Sequence, residues 1–302
     1  MRPKLLAAKG QEHVHAANAA FTLAELLVII GVLAVWILLL VPALARTRVS
    51  DRSFECQNNL RQLMNGWRMY AEDNADRVVN NWDTASIMND LALPNPTYAT
   101  WVDDIMSWTI PPPDTCFNLV GIIKAPFYSY VNNVSVYKCP ADNYLSALQR
   151  AAGYTARPRS YSMNGFFGAS TPTWTSEKNE FYPSYAQFLK VSRIPNPSNL
   201  YVILGEHPDN INDGYFKDSA NPNITSSADW PGGVWGDVPA SNHDGAAGFG
   251  FADGHAEIHL WTSRKCTIYP VRYQPITKVS LLSDPAGIAD AAWLASHTSV
   301  PY

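Results

Sequence analysis

The chain has 302 residues, of which 47% are apolar and 16% are charged, so a sizeable core is within its reach. Its formal net charge of −4 leaves no basic footprint, which excludes nucleic acid as a partner. The cysteines lie far apart and form no CxxC pair, which argues against a structural zinc site: Cys56, Cys116, Cys139 and Cys266.

A weakly basic leader, residues 1–20, precedes an apolar run, residues 21–45, in which Glu25 is the only charged residue. At about 1.5 Å of rise per residue, a helix of this length crosses a hydrocarbon core of about 30 Å, so a transmembrane helix is expected. The run is too long for a cleaved secretory signal, and the small residues Ala19 and Ala20 precede it instead of following it. An ordinary signal anchor fits the length but does not explain a carboxylate at the helix start.

The segment Ala20-Phe21-Thr22-Leu23-Ala24-Glu25 and the apolar run after it resemble the class III signal of type IV prepilins and type II secretion pseudopilins. This resemblance implies cleavage between Ala20 and Phe21 by a prepilin peptidase, which then methylates the new amino terminus at Phe21. It also implies that Glu25 pairs with the Phe21 amine of a neighbouring subunit. In that family the residue before the cut is usually Gly, so the departure at Ala20 implies processing that is slower or absent. A plain anchor whose Glu25 reaches the headgroups is the alternative.

Helical periodicity continues through residues 46–74, and the helix is expected to end near Asp73. Apolar residues recur there every three or four positions and predict one stripe that packs on a globular domain: Cys56, Leu60, Leu63, Met64, Trp67 and Ala71. Residues 56–74 also resemble their counterpart in prepilin-type proteins.

Residues 75–302 are expected to form a β-rich head domain. Strands are predicted near residues 136–140, 200–204 and 248–261, with a further strand and turn at 160–165. The last region is read as a hairpin that turns at Asp253-Gly254. His243 is followed after nine residues by Asp253-Gly254, which matches the H-x9-DG signature of a large group of prepilin-like proteins. His243 is expected to hydrogen-bond the turn around Asp253.

The predicted fold class is therefore α+β and pilin-like: a long N-terminal helix, transmembrane in its first half, packed on a mainly antiparallel β-sheet. The resemblance implies a non-catalytic structural subunit of a type IV pilus or a type II secretion pseudopilus. Its implied location is the bacterial inner membrane, with the C-terminal domain outside the cytoplasm, and then the pilus, pseudopilus or cell surface. The implied partners are the prepilin peptidase and methylase, other pilin or pseudopilin subunits, and the inner membrane.

Calcium is the one cofactor to weigh, because major pseudopilins hold calcium in a C-terminal loop. The candidate ligands lie in oxygen-rich loops, where Asx turns that satisfy their own backbone are the alternative: Asp209, Asp213 and Asp142. His255, Glu257 and His259 share one face of a predicted strand, and a half-exposed polar face is favoured there over a metal site. No catalytic residues are predicted: Glu206, His207, His243 and Asp253 are acid–base candidates without a nucleophile motif.

An exported head domain permits disulfides, and four cysteines allow three complete pairings. Cys116 with Cys139 is preferred, because both lie in the same polar, Pro-rich stretch. A second function stays open: an anchored adhesin or binding protein that uses the prepilin export route and displays indoles on its loops. Its tryptophans would have to be exposed together on one face: Trp101, Trp108, Trp174, Trp230 and Trp235.

Overall fold

The structure is a computed structural model that describes residues 23–109, 119–224, 233–276, 279–281 and 284–302, with the side chains of residues 37–50 left out. Two compact units divide the chain after Thr47. The helices in chain order are α1 (Leu23–Asp73), α2 (Thr84–Leu91), α3 (Val120–Ile123), α4 (Tyr128–Val131), α5 (Ala147–Ala151) and α6 (Pro285–Ser296). The strands are β1 (Tyr161–Asn164), β2 (Tyr201–Gly205), β3 (Tyr215–Phe216), β4 (Ala246–Phe251) and β5 (Ala256–Leu260).

The long first helix, α1, has 51 residues and ends at Asp73, as the periodicity predicts. After it the backbone turns through left-handed conformations at Ala75 and Asp76, with φ values of 55° and 66°. The predicted apolar stripe is confirmed, since each of its members is at most 3% exposed: Cys56, Leu60, Leu63, Met64, Trp67 and Ala71.

The five strands form one sheet in the order β3-β1-β2-β4-β5. β1 is parallel to β3, while the β1–β2, β2–β4 and β4–β5 pairs are antiparallel. Strands predicted near 160–165 and 200–204 are confirmed as β1 and β2. The predicted hairpin is confirmed as β4 and β5, in register with Gly250 opposite Ala256. Gly254 in its turn has a φ of +99°, a conformation that favours glycine.

The strand predicted near 136–140 is wrong. Val134–Tyr137 form a 3-10 helix instead, because the Asn133 side chain accepts a hydrogen bond from the backbone N–H of Ser135 and starts a helical turn.

The expected fold class is also wrong. No helix among the described residues is both long and apolar enough to cross a membrane. The sheet is mixed: three of its strand pairs are antiparallel, and β3 runs parallel to β1.

The alternating glycines and phenylalanines of β4 separate two hydrophobic clusters. A Cβ at Gly248 would lie 2.7 Å from Leu60 Cδ1, and one at Gly250 would lie 2.8 Å from Met64 Cγ, so α1 packs directly on the backbone of β4. Successive strand residues point to opposite faces, so Phe249 lies in the other cluster together with residues of α6. This close packing places α1 beside the loops at both ends of β4, where the candidate site lies.

Candidate functional site

Three potential metal ligands meet beside α1: Cys56, Cys139 and His243. In the described part of the chain, they are the one group of three His, Cys, Asp or Glu residues with metal-ligand spacing, and their ligand atoms all lie within 4.8 Å of one another. Their exposed fractions are 1%, 3% and 6%. Cys56 lies on α1, Cys139 follows the 3-10 helix, and His243 precedes β4. The group is therefore assembled by tertiary packing from three distant segments.

His243 is held on both sides of its ring. Its Nδ1 lies 3.2 Å from Ser53 Oγ, and its Nε2 lies 3.2 Å from Cys139 Sγ. The backbone N–H of His243 donates to the carbonyl of Ala246, closing a tight loop. The expected hydrogen bond from His243 to the turn around Asp253 is wrong, because the ring points to the thiols instead.

The two thiols are held by different neighbours. Cys56 Sγ lies 3.1 Å from the Tyr161 hydroxyl, and a Cβ at Gly248 would lie 2.8 Å from the same sulfur. Cys139 is kept beside α1 because Asn59 Nδ2 donates to the carbonyl of Lys138 at 3.1 Å. The neighbouring Cys56 thiol, together with burial, raises the pKa of Cys139 well above its usual value.

A thiol beside an imidazole also suggests a nucleophile and its base, but the environment argues against that role. Reactive cysteines are partly exposed and have a lowered pKa, whereas Cys139 is buried and its pKa is raised. Two sulfurs and one imidazole nitrogen are, by contrast, the donors that soft and borderline metal ions prefer.

The preferred disulfide would join Cys139 to Cys116. Cys139 is a free thiol, because its sulfur faces His243 and Cys56 in the interior. Cys116 lies outside the described residues.

The expected calcium ligands are not brought together. Asp209 accepts hydrogen bonds from the backbone N–H groups of Arg272 and Tyr273. Asp142 pairs with Arg157 at 3.2 Å. Asp213 accepts hydrogen bonds from the Thr84 hydroxyl and the backbone N–H of Tyr215. Each carboxylate is thus occupied by protein donors. The contact of Asp213 with the N–H of Tyr215 is an Asx turn, whereas the donors to Asp209 are distant in the sequence.

The buried carboxylates of Glu206 and Asp213 and the half-buried carboxylate of Asp237 form a second polar region, which the sequence analysis did not predict. Asp213 and Asp237 line a pocket of about 380 Å³ that also contains Lys217. Burial raises the pKa of Asp213 to about 6 and that of Asp237 to about 7. Burial also raises the pKa of Glu206 well above its usual value. The sequence analysis singled out Glu206, which follows the buried strand β2, and Asp213, but it did not predict that they would lie in one region with Asp237.

The polar face of β5 also has no metal arrangement in the described structure. His255 Nδ1 lies 2.6 Å from Asp253 Oδ1, and its ring stacks on Phe251. His259 stacks on Trp293 with ring centroids 3.4 Å apart, and burial lowers its pKa to about 4. The two imidazoles are therefore used in separate contacts.

The hairpin signature contacts α1 at both of its ends. His243 contacts Ser53, and the carbonyl of Asp253 accepts a hydrogen bond from Arg68 Nη1 at 3.1 Å. Residues 53 and 68 are about 22 Å apart along an ideal helix, so the signature spans much of the packed part of α1. A Cβ at Gly254 would lie 3.3 Å from Arg68 Nη1, so a larger residue there would crowd this contact.

The structure describes only part of the segment predicted to be cleaved and methylated. Ala20 and Phe21, the predicted cleavage and methylation residues, lie outside the described residues. Glu25 lies in the first turn of α1, where a carboxylate suits the positive end of the helix dipole.

The tryptophans that the structure describes do not form the exposed face that a binding protein would need. Trp101, Trp108 and Trp235 are at most 6% exposed, and Trp174 is partly buried. Trp230 lies outside the described residues. Core packing is therefore the role of the buried indoles.

The chain matches no known protein family, no curated protein and no solved structure.

Proposed function

We propose that this chain is a structural subunit of a type IV pilus or a type II secretion pseudopilus, made as a precursor and processed at the bacterial inner membrane. The exposed apolar start of α1 carries the proposal. Ten large apolar side chains there are 42% to 74% exposed: Leu23, Leu26, Leu27, Val28, Ile29, Ile30, Val32, Leu33, Val35 and Trp36. A contiguous apolar surface of this kind marks an interaction site.

Other copies of the same chain suit this surface. A helix that is apolar on all sides is buried when it functions, and the centre of a helical filament surrounds it with several neighbours. Cleavage after Ala20 would create an α-amino group on Phe21, one turn from Glu25. Pairing that amine with Glu25 of a neighbour would compensate the buried charge and select the register between subunits.

The first test is the intact mass and the N-terminal sequence of the protein taken from its native surface fraction. A mature chain that begins at methylated Phe21 is expected. A chain that retains residues before Phe21 would overturn the proposed processing. An Ala20→Gly variant is expected to raise the processed fraction, because glycine is the usual residue before the cut in the family that the segment resembles.

Two matched variants test filament assembly. Each replaces one glutamate of α1 by the neutral glutamine. Glu25→Gln is expected to leave cleavage unchanged but to lower filament incorporation more than about tenfold, since losing one partner of a buried ion pair costs about 3–5 kcal/mol. Glu55→Gln, at an exposed position of the same helix, is expected to assemble normally. Equal incorporation of the two variants, measured by immunoblotting of sheared filaments, would contradict the role of Glu25.

A further inference from the structure

We propose that Cys56, Cys139 and His243 bind a Zn²⁺ ion through two thiolates and the Nε2 atom of the imidazole. The site is independent of the filament function, because all three residues belong to the unit that begins at Arg48.

The distances fit a tetrahedral zinc ion with small adjustments. Zn–S bonds of about 2.3 Å and Zn–N bonds of about 2.0 Å place ligand atoms about 3.5–3.8 Å apart. The Sγ of Cys139 and the Nε2 of His243 are now 3.2 Å apart, and all three ligand atoms lie within 4.8 Å of one another. Shifts of well under 1 Å per side chain would therefore complete the ligand set.

The contact between His243 Nδ1 and Ser53 Oγ is compatible with the tautomer that zinc needs, because the serine hydroxyl can accept a hydrogen bond from Nδ1–H. When Nδ1–H of His243 donates a hydrogen bond to Ser53 Oγ, Nε2 is unprotonated and its lone pair can bind the metal. A hydrogen bond of this kind from the second nitrogen is usual for metal-bound histidines. The Tyr161 hydroxyl lies 3.1 Å from Cys56 Sγ, where it can donate a hydrogen bond to the metal-bound thiolate.

Charge favours zinc over a monovalent ion at this buried position. Zn²⁺ replaces the two thiol protons, which leave to solvent, and the two thiolates then cancel the ionic charge. A Cu⁺ ion with the same ligands would leave one net negative charge in the interior, which is costly. The bound ion would tie α1, the segment after the 3-10 helix and the hairpin signature together.

The test uses the full chain, purified anaerobically with reductant and stripped by a chelator, then titrated with ZnCl₂ against a chromophoric zinc indicator. One equivalent is expected to bind, with affinity that increases with pH because two protons are released. Cys56→Ser, Cys139→Ser and His243→Gln are expected to lose this equivalent. Cys266→Ser is the matched control: Cys266 is equally buried but lies outside the cluster, so binding should be unchanged.

A positioning role for Ser53 predicts a graded effect. Ser53→Ala is expected to bind one equivalent with about 10–100-fold lower affinity, because the imidazole loses its orienting partner. Unchanged affinity in this variant would remove Ser53 from the site.

Cobalt(II) provides a readout that does not depend on the folding of the ligand variants. The wild type and Cys266→Ser are expected to show the near-ultraviolet charge-transfer band of two thiolates bound to tetrahedral Co²⁺. Absence of that band overturns the proposal. Zinc binding that is retained in both Cys56→Ser and Cys139→Ser overturns it too, as does selective binding of Cu⁺ in place of Zn²⁺. A Cys56–Cys139 disulfide in non-reducing peptide maps of the native protein would also overturn it.

Discussion

The two described stretches of α1 are both rich in apolar residues, yet they meet different surroundings. Residues 23–36 expose every side chain, and the large apolar ones are at least 42% exposed. Residues 56–71 carry a stripe that is at most 3% exposed, with polar residues on the other faces. A stripe indicates one packing partner within the same chain, whereas an all-round apolar surface indicates partners outside it. Each stretch therefore predicts a different effect of the same substitution.

The largest contrast is expected from Leu→Ala in the two stretches. Leu60→Ala removes a fully buried side chain from the cluster between α1 and the sheet, so the free energy of unfolding should fall by about 2–5 kcal/mol. Leu27→Ala changes a side chain that is 60% exposed, so the free energy of unfolding should change by about 0.5 kcal/mol or less. Denaturant unfolding of the two variants measures the difference, and equal losses would contradict the comparison.

A pH-dependent contrast comes from the buried carboxylates of the second unit. Burial raises the pKa of Asp103 to about 7, with Asp90 and Asp104 adding to the effect. The folded chain therefore holds more protons than the unfolded chain between about pH 4 and pH 7, and the free energy of unfolding falls as pH rises through that window.

Asp103→Asn removes this charge and should raise the free energy of unfolding at pH 8 by about 2–4 kcal/mol, with little change at pH 4. Asp51→Asn, at an exposed position on α1, should change it by about 0.5 kcal/mol or less at both pH values. Thermal melts across pH compare the variants. Parallel pH profiles for Asp103→Asn and the wild type would rule out the buried charge as their cause.

Two glycines give the next contrast. Gly248→Ala places a Cβ within 2.8 Å of Leu60 and Cys56, so the free energy of unfolding should fall by about 1–3 kcal/mol. Gly31→Ala meets nothing within 4 Å and should stabilise the helix by up to about 1 kcal/mol. Circular dichroism melts measure the expected loss of stability for Gly248→Ala and the expected gain for Gly31→Ala. A tolerated Gly248→Ala would mean that α1 does not pack on the backbone of β4.

The smallest contrast concerns two arginines of α1. Arg68→Ala loses the hydrogen bond to the carbonyl of Asp253 and should cost about 0.5–1.5 kcal/mol. Arg61→Ala loses only a contact with Asn58 on the same helix and should cost less than about 0.5 kcal/mol. Hydrogen exchange at the β4–β5 turn should increase for Arg68→Ala alone. An equal increase in both variants would argue against the hydrogen bond from Arg68 as the contact that holds the turn to α1.

Local patterns account for the elements that the sequence predicted correctly. Spacing of three and four residues located the buried stripe of α1 and its end at Asp73. The apolar run at β2 and the Asp253-Gly254 turn located two of the sheet regions. Each of these signals lies within a few residues, so no knowledge of distant contacts was required. The 3-10 helix at Val134–Tyr137 was missed because the Asn133 cap outweighed a strand-like apolar pattern.

The sequence by itself determined the helical stripe, the hairpin and the separation of an apolar start from a packed continuation, because their signals are periodic and local. Only the tertiary structure decided the parallel pairing of β3 with β1, since no local pattern fixes which strands become neighbours. It also decided that Cys56, Cys139 and His243 meet, although the absence of CxxC spacing argued against a zinc site. α1 packs closely on glycines of β4, which brings Cys56 near His243. The spacing of the ligands along the chain gives no sign of this contact.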